Sequence, residues 1–452
     1  MKILVAGEGT RAFAVAKSVS RYGHEPYLIR GLSAKGFFRS LDCDPRDAAS
    51  VADAAEAAGI SLAAVTDDNL INSCLTDALT LRGIHVFAPS PGAARVLSDR
   101  AAVIALADRA GVPVPRCHVV SSEKEAVAII KSGADRERIV RPARGGDPIF
   151  AANGKEVLAA VKKLFAAEKS VVIEQRLFGH PMGVSVITDG KTVFFPPVTS
   201  PYRDAARTYG AVAPNPFYTE KVREETEKRI IYPFLAAMKS KGLRPLGWLY
   251  FDIILTGYGP FLLDVKCFPP ETEAETLLAL IDSDFALTAA DAACGALAAA
   301  KIGLNSGYAL SLGIDDTDGK NSRAIEKRAY VYLNFGRVTK SDCGIEAEKG
   351  RIATVTVRAE TFNSAYNGAT DVATLSGIGG SFRPETGLDA YEEIRRKEAV
   401  NREKKERLDE IEKNVSLNRA ANLVGFDYSD PVYREKLSQS MARITGDKPE
   451  KK

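Results

Sequence analysis

WLYFDIILTGYGPFLLDVKCFPPETEAE, residues 248–275, holds two apolar, aromatic and β-branched runs, 248–255 and 261–266, joined by Thr256-Gly257-Tyr258-Gly259-Pro260. Such runs around a glycine-rich turn predict a β-hairpin. Alternate side chains share a face of a strand, so Trp248, Tyr250, Asp252 and Ile254 form one row, and Leu262, Asp264 and Lys266 form one row of the partner. A turn centred near Tyr258 sets Asp252 opposite Asp264. Two like charges directly across a sheet repel unless something positive lies between them. A divalent cation can fill that role, and so can Lys266; a solvated pair beside a salt bridge is the plainer alternative.

Outward from the hairpin, the chain has 452 residues, 45% hydrophobic and 26% charged, which suits a soluble globular protein of three or four lobes. A formal net charge of +3 argues against a dedicated nucleic-acid binder. Six scattered cysteines without close pairs, and four histidines without metal-ligand spacing, read as reduced cytoplasmic thiols and no zinc site. The opening MKILVAGEGT suits a first strand and a glycine turn, unlike a signal peptide. The alanine-rich segment 286–304 contains Asp291 and Lys301, so it reads as a buried helix and not a membrane span.

In chain order, a strand at 2–6, a turn at 7–11, a helix at 12–22 and strands at 26–30, 61–66 and 85–88 predict a parallel βαβ sheet, whose carboxyl-end loops are where small ligands sit. Gly7, Gly9 and Arg11 at a helix start suit an anionic group, although a purely structural turn explains them equally. After the stiff connector 112–115 come a helix at 123–132, a strand at 138–141, a Gly-Gly loop at 142–147, a helix at 154–168 and a strand at 170–174. Arg141 before that loop suits a phosphate, with a surface arginine as the alternative. A hairpin across 189–191 and a long polar loop at 199–215 follow; the loop carries Arg203, Arg207, Thr208, Tyr209 and Gly210. A charged helix at 220–241 leads back to the central hairpin. Beyond it, residues 307–363 read as a small β-rich lobe with strands at 328–334 and 352–357, in which 315–319 is a turn and not a calcium loop. The tail reads as a charged solvated helix, then a short amphipathic helix at 431–444 and a disordered lysine-rich end.

The order of these pieces resembles the glycinamide ribonucleotide synthetase (phosphoribosylamine-glycine ligase) family of the ATP-grasp superfamily, from residue 1 to about 396. MKILVAGEGTRAFA keeps that family's Gly7, Gly9 and Arg11, with Ala12 and Phe13 where Glu-His is usual. RGIHVFAPSPGAARVLSDRAAVIALADRAGVPVP puts Arg100 at a nucleotide-binding lysine, and Arg141 falls at the second phosphate-contacting lysine. VVIEQRLFGHPM is similar to the adenine hinge at Glu174 and Leu177; LYFDIILTGYGPFLLDV with PPETEAETLLALIDSDF resembles the metal hairpin and its helix; ATLSGIGGSFRPETGLDAYEEIRR is similar to the closing segment. Departures lie at the site. The lid ARGGDPIF is short, Pro181 replaces a ribose-contacting glutamate beside His180, and the substrate loop is reduced to Thr208-Tyr209-Gly210-Ala211-Val212. Asp264-Val265-Lys266 stands for Glu-x-Asn, the following arginine is absent, and Asp252 matches an acidic metal ligand of other ATP-grasp ligases.

The resemblance implies an α/β ATP-grasp fold, with an N-terminal Rossmann-like parallel-sheet domain at 1–98, an ATP-grasp domain at 99–305 with its hinge near 174–178, a small C-terminal β-rich domain at 306–396 and a charged helical tail at 397–452. It implies an ATP-dependent carboxylate-amine ligase of purine biosynthesis working through an acyl phosphate. The alternatives are a ligase for another amine and acid, or a catalytically weak nucleotide-binding paralogue. ATP and Mg2+ are the implied cofactors. Arg203 and Lys266 are the implied catalytic residues; Arg100, Arg141, Glu174, Leu177 and His180 would bind ATP; Gly9, Arg11, Thr208, Tyr209, Gly210 and Glu271 would bind substrate; Asp252 and Asp264 would hold metal. In that scheme Lys266 contacts a phosphate in place of a second ion, or else neutralises Asp264 with no metal bound. The implied partners are small molecules, an amine and an amino acid or other carboxylate, with no nucleic acid and no membrane, for a cytoplasmic monomer or homodimer.

Overall fold

Short apolar runs separated by helices give the first layer: in this computed structural model, Arg39–Leu41, Glu25–Ile29, Lys2–Ala6, Leu62–Val65 and His85–Phe87 lie side by side in that order. All pairings are parallel, with Ile3 flanked by Pro26 and Leu62. The structure describes residues 1–132, 137–144, 148–204, 207–316, 322–341, 344–423 and positions 431, 432, 435, 436 and 439. The Gly-Gly lid residues 145–147, most of the expected turn 315–319, most of the expected helix 431–444 and the lysine-rich end lie outside the described residues. The chain divides into two units, 1–391 and 392–452.

Two antiparallel sheets follow within the first unit. One runs Cys117–Val120, Val171–Gln175, Arg138–Pro142, Ile149–Ala151, backed by the helices Glu123–Ser132 and Gly154–Phe165. Val120, Ala126, Val140, Val157, Val161 and Ile173 form its own core. The other runs Val193–Phe194, His180–Asp189, Leu246–Thr256, Gly259–Lys266. The hairpin forms with its turn at Tyr258, and Asp252 pairs across from Asp264. The strand Leu246–Thr256 is paired on both edges, and its burial over 246–254 shows that both faces are covered as well. Trp248 packs on Phe268 and Phe285, at ring distances of 5.1 and 5.4 Å, while Phe251 meets Phe234 on the other face at 5.6 Å.

The expected polar loop at 199–215 is instead a pair of strands, Ser200–Arg203 and Thr208–Ala213. Thr208–Ala213 pairs with Tyr308–Asp316, which continues to Gly350–Ala359 and Leu333–Phe335. The sheet of the 306–396 region therefore begins with strands from the preceding region. The expected strand at 328–334 splits into a 3-10 turn, Lys327–Val331, and the short strand Leu333–Phe335. The buried helix expected over 286–304 covers Phe285–Cys294; Gly295 stops it at φ +74°, a left-handed conformation that glycine adopts without strain. The helix at 220–241 is interrupted by a π-helical stretch, Glu227–Ile231, just before Pro233, which has no N–H to continue the regular ladder. The tail begins as one long helix, Leu388–Leu423.

Candidate functional site

Arg100 opens the helix Arg100–Arg109, whose N-cap, Asp99, accepts from the N–H of Ala102. This placement buries the guanidinium between the two antiparallel sheets. Its Nε donates to Glu174 Oε1 at 2.5 Å, and its Nη1 lies 3.9 Å from Asp264 Oδ1. Arg141, from the strand Arg138–Pro142, reaches the other oxygen of Glu174 at 3.5 Å. Glu174 is only 1% exposed, so the two arginines supply its counter-charge. Nη1 and Nη2 of Arg100 and Nε of Arg141 are buried without a hydrogen-bond partner. Orphaned donors converging from two elements fit an anion such as a phosphate. Leu177 is half-buried in the connector to the next sheet, and His180 stacks on Phe217 at 3.7 Å at the start of the strand His180–Asp189.

Asp252 and Asp264 are opposite each other, and an arginine lies against each of them. Arg203 donates two hydrogen bonds to Asp252, 2.6 Å to Oδ1 and 2.7 Å to Oδ2. Asp264 faces Arg100, and its Oδ1 accepts from the N–H of Val265 at 3.0 Å. Among the described residues, no group of three or more His, Cys, Asp or Glu side chains could hold a metal. Arg203 thus holds both oxygens of Asp252, whereas Asp264 has only the longer contact to Arg100.

Beneath this pair lies a fully buried node. Glu273 accepts from the hydroxyl of Tyr250 at 2.8 Å and from Thr199. Burial pushes its carboxyl up to about 7, although Thr199, Tyr250 and Arg203 oppose the shift. Two residues on, Glu275 has neither oxygen hydrogen-bonded, and burial pushes it to about 8, with the nearby Thr10 and Thr354 hydroxyls opposing. In the unfolded chain both ionise near 4.5. The folded state keeps protons that the unfolded state loses above that value. The stabilisation is complete below about pH 4.5 and is lost as pH rises through 7 and 8. Glu273→Gln and Glu275→Gln are each expected to flatten the fall of the melting temperature between pH 5 and 8, removing a dependence of a few kcal/mol. An unchanged slope in both contradicts the assignment.

At the carboxyl ends of the parallel sheet a second group of residues meets. Gly9 sits at φ +65°, where an added Cβ would lie 2.6 Å from Glu271 Oε1. Arg11 donates to the carbonyl of Pro269 at 3.3 Å, lies 3.7 Å from Asp67 and covers the Phe268 ring. Burial raises Asp68 above the usual carboxylate range, against the pull of Arg11 and Lys266. Arg351, a residue the sequence pattern does not mark, joins this group: Nη1 is 3.7 Å from Glu271, Nε bonds Asp315 at 2.9 Å and Nη2 bonds the carbonyl of Thr208 at 3.0 Å. Thr208 is therefore linked to Glu271 through Arg351. Tyr209 lies under the Arg383 guanidinium at 4.2 Å. Gly210 is a packing residue in a strand, because a Cβ there would meet Thr386 at 2.3 Å and the carbonyl of Ser311 at 2.9 Å. A cavity of about 430 Å3 lined by Lys191, Lys239 and Arg244 lies at the Asp189 end of the long strand and shares no residue with either group.

Residues 99–274 match the family model "Phosphoribosylglycinamide synthetase, ATP-grasp (A) domain". A phosphoribosylamine–glycine ligase of Rhodopirellula baltica is 27% identical over 308 residues, 62% of this chain and 70% of that protein. One of Mycobacterium bovis is 25% identical over 430 residues, 87% of this chain and 99% of that protein. The match to the trifunctional purine biosynthetic protein adenosine-3 of Gallus gallus, 26% identical, covers 63% of this chain and 30% of the longer protein. Among solved structures, the phosphoribosylamine–glycine ligase of Thermotoga maritima shares the fold with a TM-score of 0.72 at 15% identity, over 85% of this chain and all of that one. The biotin carboxylase domain of 2-oxoglutarate carboxylase from Hydrogenobacter thermophilus, a dimer solved with MgADP and bicarbonate, gives 0.63 at 16% identity, over 84% and 91%.

Proposed function

We propose that this chain, which belongs to the glycinamide ribonucleotide synthetase family through the ATP-grasp domain at residues 99–274, is an ATP-dependent carboxylate-amine ligase of the phosphoribosylamine–glycine ligase kind. The observation that carries the reading is the buried Arg100 guanidinium between two antiparallel sheets, with two nitrogens making no hydrogen bond and Arg141 converging on the same carboxylate. ATP-grasp ligases use ATP with Mg2+, and a carboxylate activated as an acyl phosphate is then attacked by an amine. Arg100 and Arg141 would hold phosphates beside the Gly259–Lys266 strand, which carries Asp264. Transfer depends on positioning and on positive charge around the triphosphate, which Arg100, Arg141 and Lys266 bring from three elements. Magnesium neutralises phosphate charge when bound, and Asp264 is the carboxylate that would hold it.

The acceptor substrates would meet at Gly9, Arg11, Glu271, Thr208 and Tyr209, where Arg351 adds a cation. The substrates are small molecules. Their identity divides the reading in two, because two features favour a different amine and acid. The N–H of Gly9, a donor suited to a substrate phosphate, is bonded to the carbonyl of Leu32 at 3.2 Å, and the shortened substrate loop is a paired strand packed under Thr386. The five described cysteines are free thiols, which supports a cytoplasmic setting. No helix among the described residues is long and apolar enough to cross a membrane.

ADP release is the test. Mixing the protein with ATP, magnesium, phosphoribosylamine and glycine is expected to release ADP only when both acceptors are present. Release with another acid and amine instead supports the altered substrate. Silence across a broad panel overturns the ligase reading.

A further inference from the structure

The disagreement between the carboxylate pair and a two-carboxylate metal site points to something specific about this chain. Asp252 is 6% exposed, and Arg203 spans both its oxygens in a two-point fork. Bidentate guanidinium-carboxylate pairs are among the strong charge-assisted contacts. Pulling one apart in a buried place leaves an unpaired charge. A divalent ion arriving at Asp252 would also meet the positive charge of Arg203 at close range, in a setting where water screens poorly. The fork itself is braced. Gly183 exchanges two backbone hydrogen bonds with Thr199, at 2.9 and 3.0 Å, and lies across from Asp252 in the sheet. Thr199 and Tyr250 are tied to the buried Glu273 behind it. Arg203 nevertheless keeps 29% of its side chain exposed, and three of its five N–H groups remain beyond the two spent on Asp252. Asp264 differs. Its side chain is 24% exposed, and its nearest guanidinium is 3.9 Å away.

We infer that Arg203 is a built-in cation of the nucleotide site: it occupies Asp252 in the place of a second divalent ion, so that nucleotide binds with one magnesium ion per chain, on the Asp264 side. The inference rests on the reading that this cleft binds ATP. Magnesium commonly needs only one or two protein carboxylates, with phosphates and water completing its shell, so Asp264 suffices for one ion. The remaining N–H groups of Arg203, on a side chain that is 29% exposed, would be available to donate to phosphate oxygens.

Manganese serves as a paramagnetic probe for magnesium. Bound Mn2+ is counted by electron paramagnetic resonance with the full chain saturated by a non-hydrolysable ATP analogue, whose own binding is measured in parallel by calorimetry. One ion per chain in the unaltered protein, and two in Arg203→Ala, are the expected results. Two ions in the unaltered protein, or one in both, overturn the inference while leaving nucleotide binding intact. If Arg203→Ala does not fold, Asp252→Asn decides: the count stays at one if Asp252 is no metal ligand, and a fall to zero overturns the inference. Failure of the analogue to bind at all overturns the ligase reading and this inference with it.

Discussion

Arg100→Met is expected to destabilise the folded chain by about 3 kcal/mol, because it strands a carboxylate that is almost wholly buried. Glu174 keeps only the longer 3.5 Å contact to Arg141 once the 2.5 Å hydrogen bond from Arg100 is gone. The lost interaction is small compared with the cost of an uncompensated charge in a low-dielectric place. Removing the partner as well should therefore repair much of the damage: Arg100→Met/Glu174→Leu is expected to recover most of the lost stability. Urea denaturation of the three proteins measures both effects. A single variant within about 0.5 kcal/mol of the parent would mean that water reaches Glu174 and that the pair is a surface ion pair.

Gly183→Ala is expected to cost about 3 kcal/mol, at the upper end of overpacking effects. One added carbon would lie 2.0 Å from Glu273 Oε2, 2.2 Å from the Thr199 hydroxyl and 2.7 Å from the Tyr250 ring. None of these can retreat cheaply, since the first two bond each other and Tyr250 is fully buried. The variant therefore breaks the node that braces Arg203 and Asp252. Gly257→Ala is the control: nothing lies within 4 Å of a Cβ there, so its stability should stay within about 0.5 kcal/mol of the parent. Equal effects at the two glycines contradict the account of the node.

The central hairpin was legible because its signals are local. Period-two alternation and a glycine-rich turn set the register, and with it Asp252 opposite Asp264. The parallel sheet was legible for the same reason, from short apolar runs spaced by helices. Residues 200–213 were not, because the strand that completes their sheet, Tyr308–Asp316, comes about a hundred residues later and a bulge at Tyr202/Arg203 breaks the alternation. A single sequence carries no record of such a distant pairing. The candidate site divides similarly. Arg100, Arg141 and Glu174 could be picked from motif spacing, but that Glu174 lies between the two arginines depends on Glu174 pairing with Ile139 while Arg141 pairs with Val172. The fork from Arg203 to Asp252 spans 49 positions of sequence, and Arg351 reaches Glu271 from another sheet, so neither leaves a local trace. Glu273 and Glu275 had the only visible clue, a run of three alternate glutamates in ETEAE at the start of a helix that proves to be largely buried.

Arg100, which is buried, and Arg141, which is partly exposed, are expected to hold a nucleotide between the antiparallel sheets, and calorimetric titration of ATP with magnesium into the unaltered chain and into Arg100→Met/Glu174→Leu tests this most directly. Saturable binding by the former, weakened by about tenfold or more in the latter with the fold retained, is the expected result, since a charge-assisted contact contributes roughly 1.5–3 kcal/mol. Equal affinity in both proteins, or no binding in either, would contradict the account.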